Sequence, residues 1–148
     1  MKDNLAYADA ETPSEFLQDL KEGLARQRKS ISPKYFYDAV GSDLFDQICQ
    51  LPEYYPTRTE LAILQQSAPE IARHLGPHAE ILEFGAGSMQ KVRVLLDAMD
   101  RPARYIPIDI SAEHLQGAAS KLSTDYPHLQ VEPLEADYTL DMVLPPDV

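Results

Sequence analysis

Apolar positions recur at helical spacing in the first half of the chain and in short strand-like runs in the second. Phe16, Leu17, Leu20 and Leu24 fall on one helical face. Thr12, Pro13 and Glu15 ahead of them have the order of an N-cap, a first-turn proline and a capping-box acid, which predicts a helix opening at Thr12. "RQRKSISPK" closes it in a basic turn, the charge that a helix C-terminus favours. In "YFYDAVGSDLFDQICQ", Gly41 breaks the pattern, Ser42 is a candidate cap, and Leu44, Phe45 and Ile48 mark a short amphipathic helix. A turn stiffened by Pro52 and Pro56 follows. Thr57 with Glu60 reads as a second capping box, opening a helix to about Leu75 along Leu61, Leu64 and Ile71, with Pro69 expected to kink or split it. Gly76-Pro77 is a stop.

The period then changes. "EILEF" (80–84) is a short apolar strand running into Gly85-Ala86-Gly87, and a helix follows along Val92, Leu95, Leu96 and Met99. "RYIPID" (104–109) is a second strand. Ser111 caps a segment with Leu115, Ala118, Ala119 and Leu122 at helical spacing, and "LQVEPLEAD" (129–137) is a third strand. Strand–helix–strand–helix–strand is the start of a doubly wound parallel sheet, an α/β fold with a Rossmann-like half sheet. The expected organisation is a helical N-terminal segment over 1–76, carrying substrate-side aromatics, and the first half of a Rossmann-like domain over 77–148. Three strands make half of such a sheet, so the chain reads as the N-terminal part of a larger protein.

Composition narrows the partners. Twenty-four acids stand against 13 Lys and Arg, a net charge of −11, which argues against nucleic acid or an anionic membrane. The single cysteine, Cys49, excludes an internal disulfide and any cysteine-based zinc site, and its apolar neighbours predict a buried, inert thiol. No N-terminal apolar leader and no run of about 18 apolar residues is seen, so a cytoplasmic protein is expected. His74, His78, His114 and His128 show no metal-ligand spacing and are expected at the surface without partners.

Candidate chemistry gathers where strands end. In "EFGAGSMQK", Gly85 and Gly87 let the backbone turn tightly and approach a ligand at a helix N-terminus. A dinucleotide fingerprint needs Gly or Ala at position 90, which is Gln90, and no Walker pattern is present. Glu83, just before the loop, suits a cofactor bearing a sulfonium and an ammonium better than one bearing a pyrophosphate. Asp109 ends the second strand, where a carboxylate can accept both ribose hydroxyls, and Asp137 ends the third, within reach of an adenine amino group. These features favour an S-adenosylmethionine methyltransferase over a purely structural turn or a nicotinamide module. Six of the 12 aromatic residues (Tyr35, Phe36, Tyr37, Phe45, Tyr54 and Tyr55) lie within 21 positions. They read either as an aromatic core or as a pocket whose faces and phenols suit an amine or quaternary ammonium.

"KYFYDAVGSDLFDQICQLPEYYPTRTE", with "EFGAGSMQK", "YIPIDIS" and "EADY", resembles the histidine-specific S-adenosylmethionine-dependent methyltransferases of ergothioneine biosynthesis, over about residues 13–140. The resemblance implies trimethylation of the α-amino group of L-histidine to histidine betaine (hercynine), in a cytoplasmic enzyme that is monomeric at full length. It places Tyr37, Phe45 and Tyr54 in the histidine pocket; we add the expectation that the phenol of Tyr37 or Tyr54 holds the amine in line and that Tyr55 is left to packing. It assigns Gly85, Lys91, Asp109, Asp137 and Tyr138 to the cofactor, beside Glu83 and Gly87. Family members are about twice as long, and the missing half carries further substrate-gripping residues. Two alternatives stay open: methylation of another aromatic amino acid derivative, and a fragment without catalysis.

Overall fold

The computed structural model describes residues 14–145, a mixed α/β chain that divides into two compact units, one through Phe36 and one from Tyr37. The expected boundary at 76 falls inside the second unit. Thr12 and Pro13 lie outside the described residues. In the first unit α1 (Glu15–Ala25) is capped by Ser14, whose hydroxyl accepts from the Leu17 N–H at 3.4 Å. Lys29 donates to the Leu24 carbonyl at the other end, as the basic turn suggested. A short 3-10 turn (Pro33–Phe36) returns to the helix. There Tyr35 donates to Asp19 at 2.6 Å and meets Phe16 edge-on, with 4.8 Å between ring centroids. Gly23 makes the return possible, because a Cβ at that position would sit 2.0 Å from the Ser30 carbonyl oxygen.

The second unit opens with α2 (Ala39–Gln50) and α3 (Tyr55–Leu75). Asp38, not Ser42, caps α2: its carboxylate accepts from the Gly41 N–H at 2.7 Å, so Gly41 lies in the first turn and does not break it. Cys49 is half-buried, not enclosed. The α3 helix starts two residues before Thr57, with Pro56 in its first turn. Thr57 is therefore already helical and makes no capping box. Arg58 takes over the work of closing the turn, its guanidinium donating to the carbonyls of Leu51, Pro52 and Tyr54. Pro69 neither splits nor ends the helix, which continues to its Gly76 cap.

Strands β1 (Glu80–Phe84) and β2 (Arg104–Asp109) pair in parallel from Glu80 opposite Arg104 to Phe84 opposite Ile108, with α4 (Gln90–Ala98) as the crossover. After α5 (Ala112–Asp125) the third strand comes in two pieces, β3 (Gln130–Val131) and β4 (Leu134–Glu135), both parallel to β2. The break has a chemical cause. Ala103, Tyr105 and Asp109 offer carbonyls to the amides of Gln130, Glu132 and Ala136. Pro107 belongs to the same alternating set, so its missing N–H faces the third strand beside Pro133, which also lacks one. Pairing lapses where Pro107 has no N–H to give the third strand. The interior is built from Val92 and Leu96 of α4, Tyr105 of β2, Leu115, Ala119 and Leu122 of α5, and Ala72 of α3. This is the expected Rossmann-like half sheet, preceded by helices. Among the described residues no helix is long and apolar enough to cross a membrane.

Pro69 is exposed, so replacing it changes the helix backbone rather than a packed surface. Pro69→Ala restores one amide donor to α3 and is expected to stabilise the chain by about 1–2 kcal/mol, part of the helical gain being offset by a freer unfolded state. Thermal melts followed by circular dichroism check this; an unchanged or lower midpoint contradicts it.

Candidate functional site

The loop after β1 is built from left-handed residues. Gly85 has φ 70°, Gly87 φ 50° and Met89 φ 56°. Such a backbone costs a side-chain-bearing residue about 1–2 kcal/mol. Met89 is held there because its side chain, 1% exposed, is sunk in the core. The Gly85 and Ala86 amides both donate to the Ile108 carbonyl, at 2.8 and 3.2 Å, which pins the loop over the end of β2. A Cβ on Gly87 would meet nothing within 4 Å, so the glycine presents bare backbone to open space. The loop delivers the chain to α4, whose start carries no side-chain cap.

Asp109 stands at the adjoining strand end. One carboxylate oxygen accepts from the Gly87 N–H and the other from the Ser111 N–H, each at 3.0 Å. The group is half-buried and held on both sides by backbone, with lone pairs remaining for a ligand. Glu83, inside β1, accepts from the Tyr105 hydroxyl at 2.6 Å. Burial raises its pKa above the ordinary carboxyl range, and the Tyr105 bond and the Lys91 charge pull it back part of the way. Burial and the facing carboxylate push the Tyr105 hydroxyl up in turn. Lys91, on the first turn of α4, pairs with Glu60 of α3 at 3.1 Å. Glu60, read from sequence as a capping partner, thus pairs with Lys91 instead; nothing in linear spacing links positions 60 and 91.

At the third strand end, Asp137 accepts from the Thr139 amide at 3.0 Å and its hydroxyl at 2.5 Å. Tyr138 meets Phe84 edge-on at 5.6 Å between centroids. Its hydroxyl would lie 3.3 Å from a Cβ on Gly85, so a half-exposed ring covers the start of the loop.

The other candidates form their own cluster. Phe45 on α2 stands edge-on to Tyr37 at 6.3 Å and to Tyr54 at 6.0 Å. Tyr54 is the residue before α3, in the turn that Arg58 clamps. Tyr55 is 66% exposed and is not the packing residue expected. Tyr35 belongs to the first unit, where it bonds Asp19. His114 also departs from expectation. Only 16% of its side chain is exposed, and its ring nitrogens lie 4.0 Å from Asp43 and 3.7 Å from Asp46, across the seam between α5 and α2. A groove of about 540 Å³ opens there, between α2, Ser88 of the loop, the start of α4 and the face of α5 from Glu113 to Lys121. No cluster of three metal-ligating side chains occurs among the described residues.

Because the folded chain holds the Glu83 proton to higher pH than the unfolded chain does, stability falls as pH rises from the ordinary carboxyl range to the raised value. Glu83→Gln keeps an acceptor for Tyr105 and removes the charge. The variant should match the parent at about pH 4 and melt higher at about pH 7, flattening the decline; a variant that melts lower at neutral pH contradicts the sign. Gly87→Ala places a side chain at φ 50° and is expected to cost about 1 kcal/mol of stability. Denaturant titration measures it.

The family described as "Histidine-specific methyltransferase, SAM-dependent" matches residues 16–147. The chain is similar to Histidine N-alpha-methyltransferase of Mycolicibacterium smegmatis, 43% identical over 136 residues, which cover 89% of this chain and 42% of that protein. It is similar to Histidine N-alpha-methyltransferase of Mycobacterium tuberculosis, 39% identical over 124 residues, 82% of this chain and 38% of the relative. A 4-dimethylallyltryptophan N-methyltransferase of Claviceps purpurea is 30% identical over 125 residues, 82% of this chain and 36% of its own length. The chain thus spans about two fifths of the length of these relatives. Matched over residues 16–147, the chain belongs to the family of histidine-specific, SAM-dependent methyltransferases.

Proposed function

We propose that the chain carries the cofactor site and part of the substrate site of an enzyme that trimethylates the α-amino group of L-histidine, giving hercynine, from S-adenosylmethionine. The observation that carries this reading is the charge around the loop. The charges of Glu60, Asp109 and Lys91 all act on Glu83, three carboxylates in one neighbourhood against a single ammonium. Such a site repels a pyrophosphate and favours a cation.

The residues fit the cofactor in kind. Asp109, already oriented by two backbone amides, accepts ribose hydroxyls. Asp137 takes the adenine amino group and Tyr138 offers a face for the ring. Gly85 and Gly87 leave room for close approach, while Glu83 and Lys91 attend the amino acid end as opposite charges. When bound, S-adenosylmethionine supplies an electrophilic methyl group on a sulfonium. The protein's part is placement: Tyr37 and Tyr54 hold the amine by their hydroxyls so that its lone pair faces that methyl, and the Phe45 ring closes the wall between them. The first two transfers each leave an ammonium, which gives its proton to solvent to regain the lone pair, and the third leaves a fixed cation, which aromatic faces accommodate. Residues 1–76 supply the substrate-side aromatics in this division of labour and 77–148 the cofactor side. The higher identity to histidine enzymes than to the dimethylallyltryptophan enzyme favours histidine over another aromatic amino acid.

Calorimetry of the 148-residue chain with S-adenosylhomocysteine is expected to show binding. In the longer protein, mass spectrometry should show histidine gaining three methyl groups; no mass gain refutes the substrate. Tyr37→Phe and Tyr54→Phe each remove one hydroxyl bond, expected to weaken histidine about tenfold and the cofactor little. Equal weakening of both ligands counts against these two residues as amine holders.

A further inference from the structure

Ser42 and Ser111 are the buried polar residues among those described, at 8% and 5% exposure. They lie 69 positions apart, on α2 and at the start of α5, and the Ser42 hydroxyl donates to the Ser111 hydroxyl at 3.2 Å. Burying two hydroxyls costs desolvation that one bond between them only offsets. Two alanines would fill the same space without that cost, so the pair needs a reason beyond packing. Ser111 caps nothing with its side chain, although it stands at the cap position of α5.

What the bond joins supplies the reason. Ser111 also gives its backbone N–H to Asp109, and the other oxygen of Asp109 holds the Gly87 N–H. Ser42 stands one helical turn before Phe45, the central ring between Tyr37 and Tyr54. A hydrogen-bonded path therefore runs from the glycine loop through Asp109, Ser111 and Ser42 into the helix that carries the aromatic wall.

We propose that the Ser42–Ser111 hydroxyl bond is a positioning contact that couples occupancy of the loop–Asp109 site to the placement of the Tyr37–Phe45–Tyr54 cluster. The inference rests on the cofactor reading above. A ligand hydroxyl bonded to Asp109 restricts the carboxylate. The carboxylate restricts Ser111, and the shared hydroxyl bond restricts α2. By linkage, an amine seated in the cluster tightens the nucleoside site by the same factor. Neither serine touches substrate or cofactor in this account.

Hydrogen exchange on the 148-residue chain, with and without S-adenosylhomocysteine, tests it. In the parent, the ligand should protect the loop (85–89) and slow the α2 amides (39–50) by about fivefold, the factor that one neutral hydrogen bond is worth. In Ser42→Ala and in Ser111→Ala, which keeps the backbone N–H for Asp109, loop protection should persist and the α2 response should vanish. The double variant should lose no more than either single one, and Ser42→Thr should restore the response. If Ser42→Ala does not fold, Ser111→Ala makes the same comparison from the other side of the bond. Retained α2 protection in a folded Ala variant overturns the coupling. So does a parent whose loop is protected while α2 is not. A parent that binds no S-adenosylhomocysteine overturns the cofactor reading, and the coupling with it.

Discussion

The carboxylate of Asp109 sets where everything else in the site can be. Its two oxygens hold the amides of Gly87 and Ser111, which begin the segments leading into α4 and α5. Two helices that start at the same sheet edge are thereby fixed to one group. An apolar side chain there would leave two backbone donors to find other partners in a half-buried place, at a cost of about 1–3 kcal/mol each. The arrangement depends in turn on parallel pairing. Only because β1 and β2 run the same way do the glycine loop and Asp109 arrive together.

The strand that carries Asp109 is enclosed from Tyr105 to Ile108. Burial explains its apolar run and also the tolerance of Pro107. A proline in a central strand deletes one ladder donor, and here the deletion falls opposite Pro133, where the neighbouring strand is interrupted. Beyond the interruption pairing resumes at Leu134 and Glu135, which keeps Asp137 and Tyr138 close to the same edge. The lapse is confined to the register of the two prolines, and the position of the third strand end is preserved.

Much of this was legible in residue order because the relevant forces are local or periodic. Helical faces, the strand runs, the Gly76 stop and the glycine loop all follow from patterns within a few residues. The failures share a cause of the opposite kind. Ser42 has the chemistry of a cap, but its hydroxyl is claimed by Ser111, 69 positions away, and Asp38 caps instead. Thr57 and Glu60 have the spacing of a box, but Pro56 starts the helix early and Lys91 takes the acid. His114 offers no spacing signal at all, since its partners Asp43 and Asp46 come from a helix that only the fold brings near. Short polar side chains serve many local motifs equally well, and tertiary contacts choose among them.

The same choice bears on how one neighbourhood serves a cation without collapsing around its own charge. Glu83 is kept partly desolvated and bonded to a buried tyrosine, so it resists ionising when nothing opposes it. Lys91 offsets it, but Glu60 draws that ammonium toward α3. Asp109 is satisfied by backbone and adds to the negative field. The result is a carboxyl whose ionised form is less favoured than that of a surface carboxylate. A cation arriving beside it lowers the cost of ionisation. A surface carboxylate, already fully hydrated and ionised, would have less to gain from the same cation. On the proposed reading, burial of Glu83 against Tyr105 is therefore what makes the loop respond to a charged ligand.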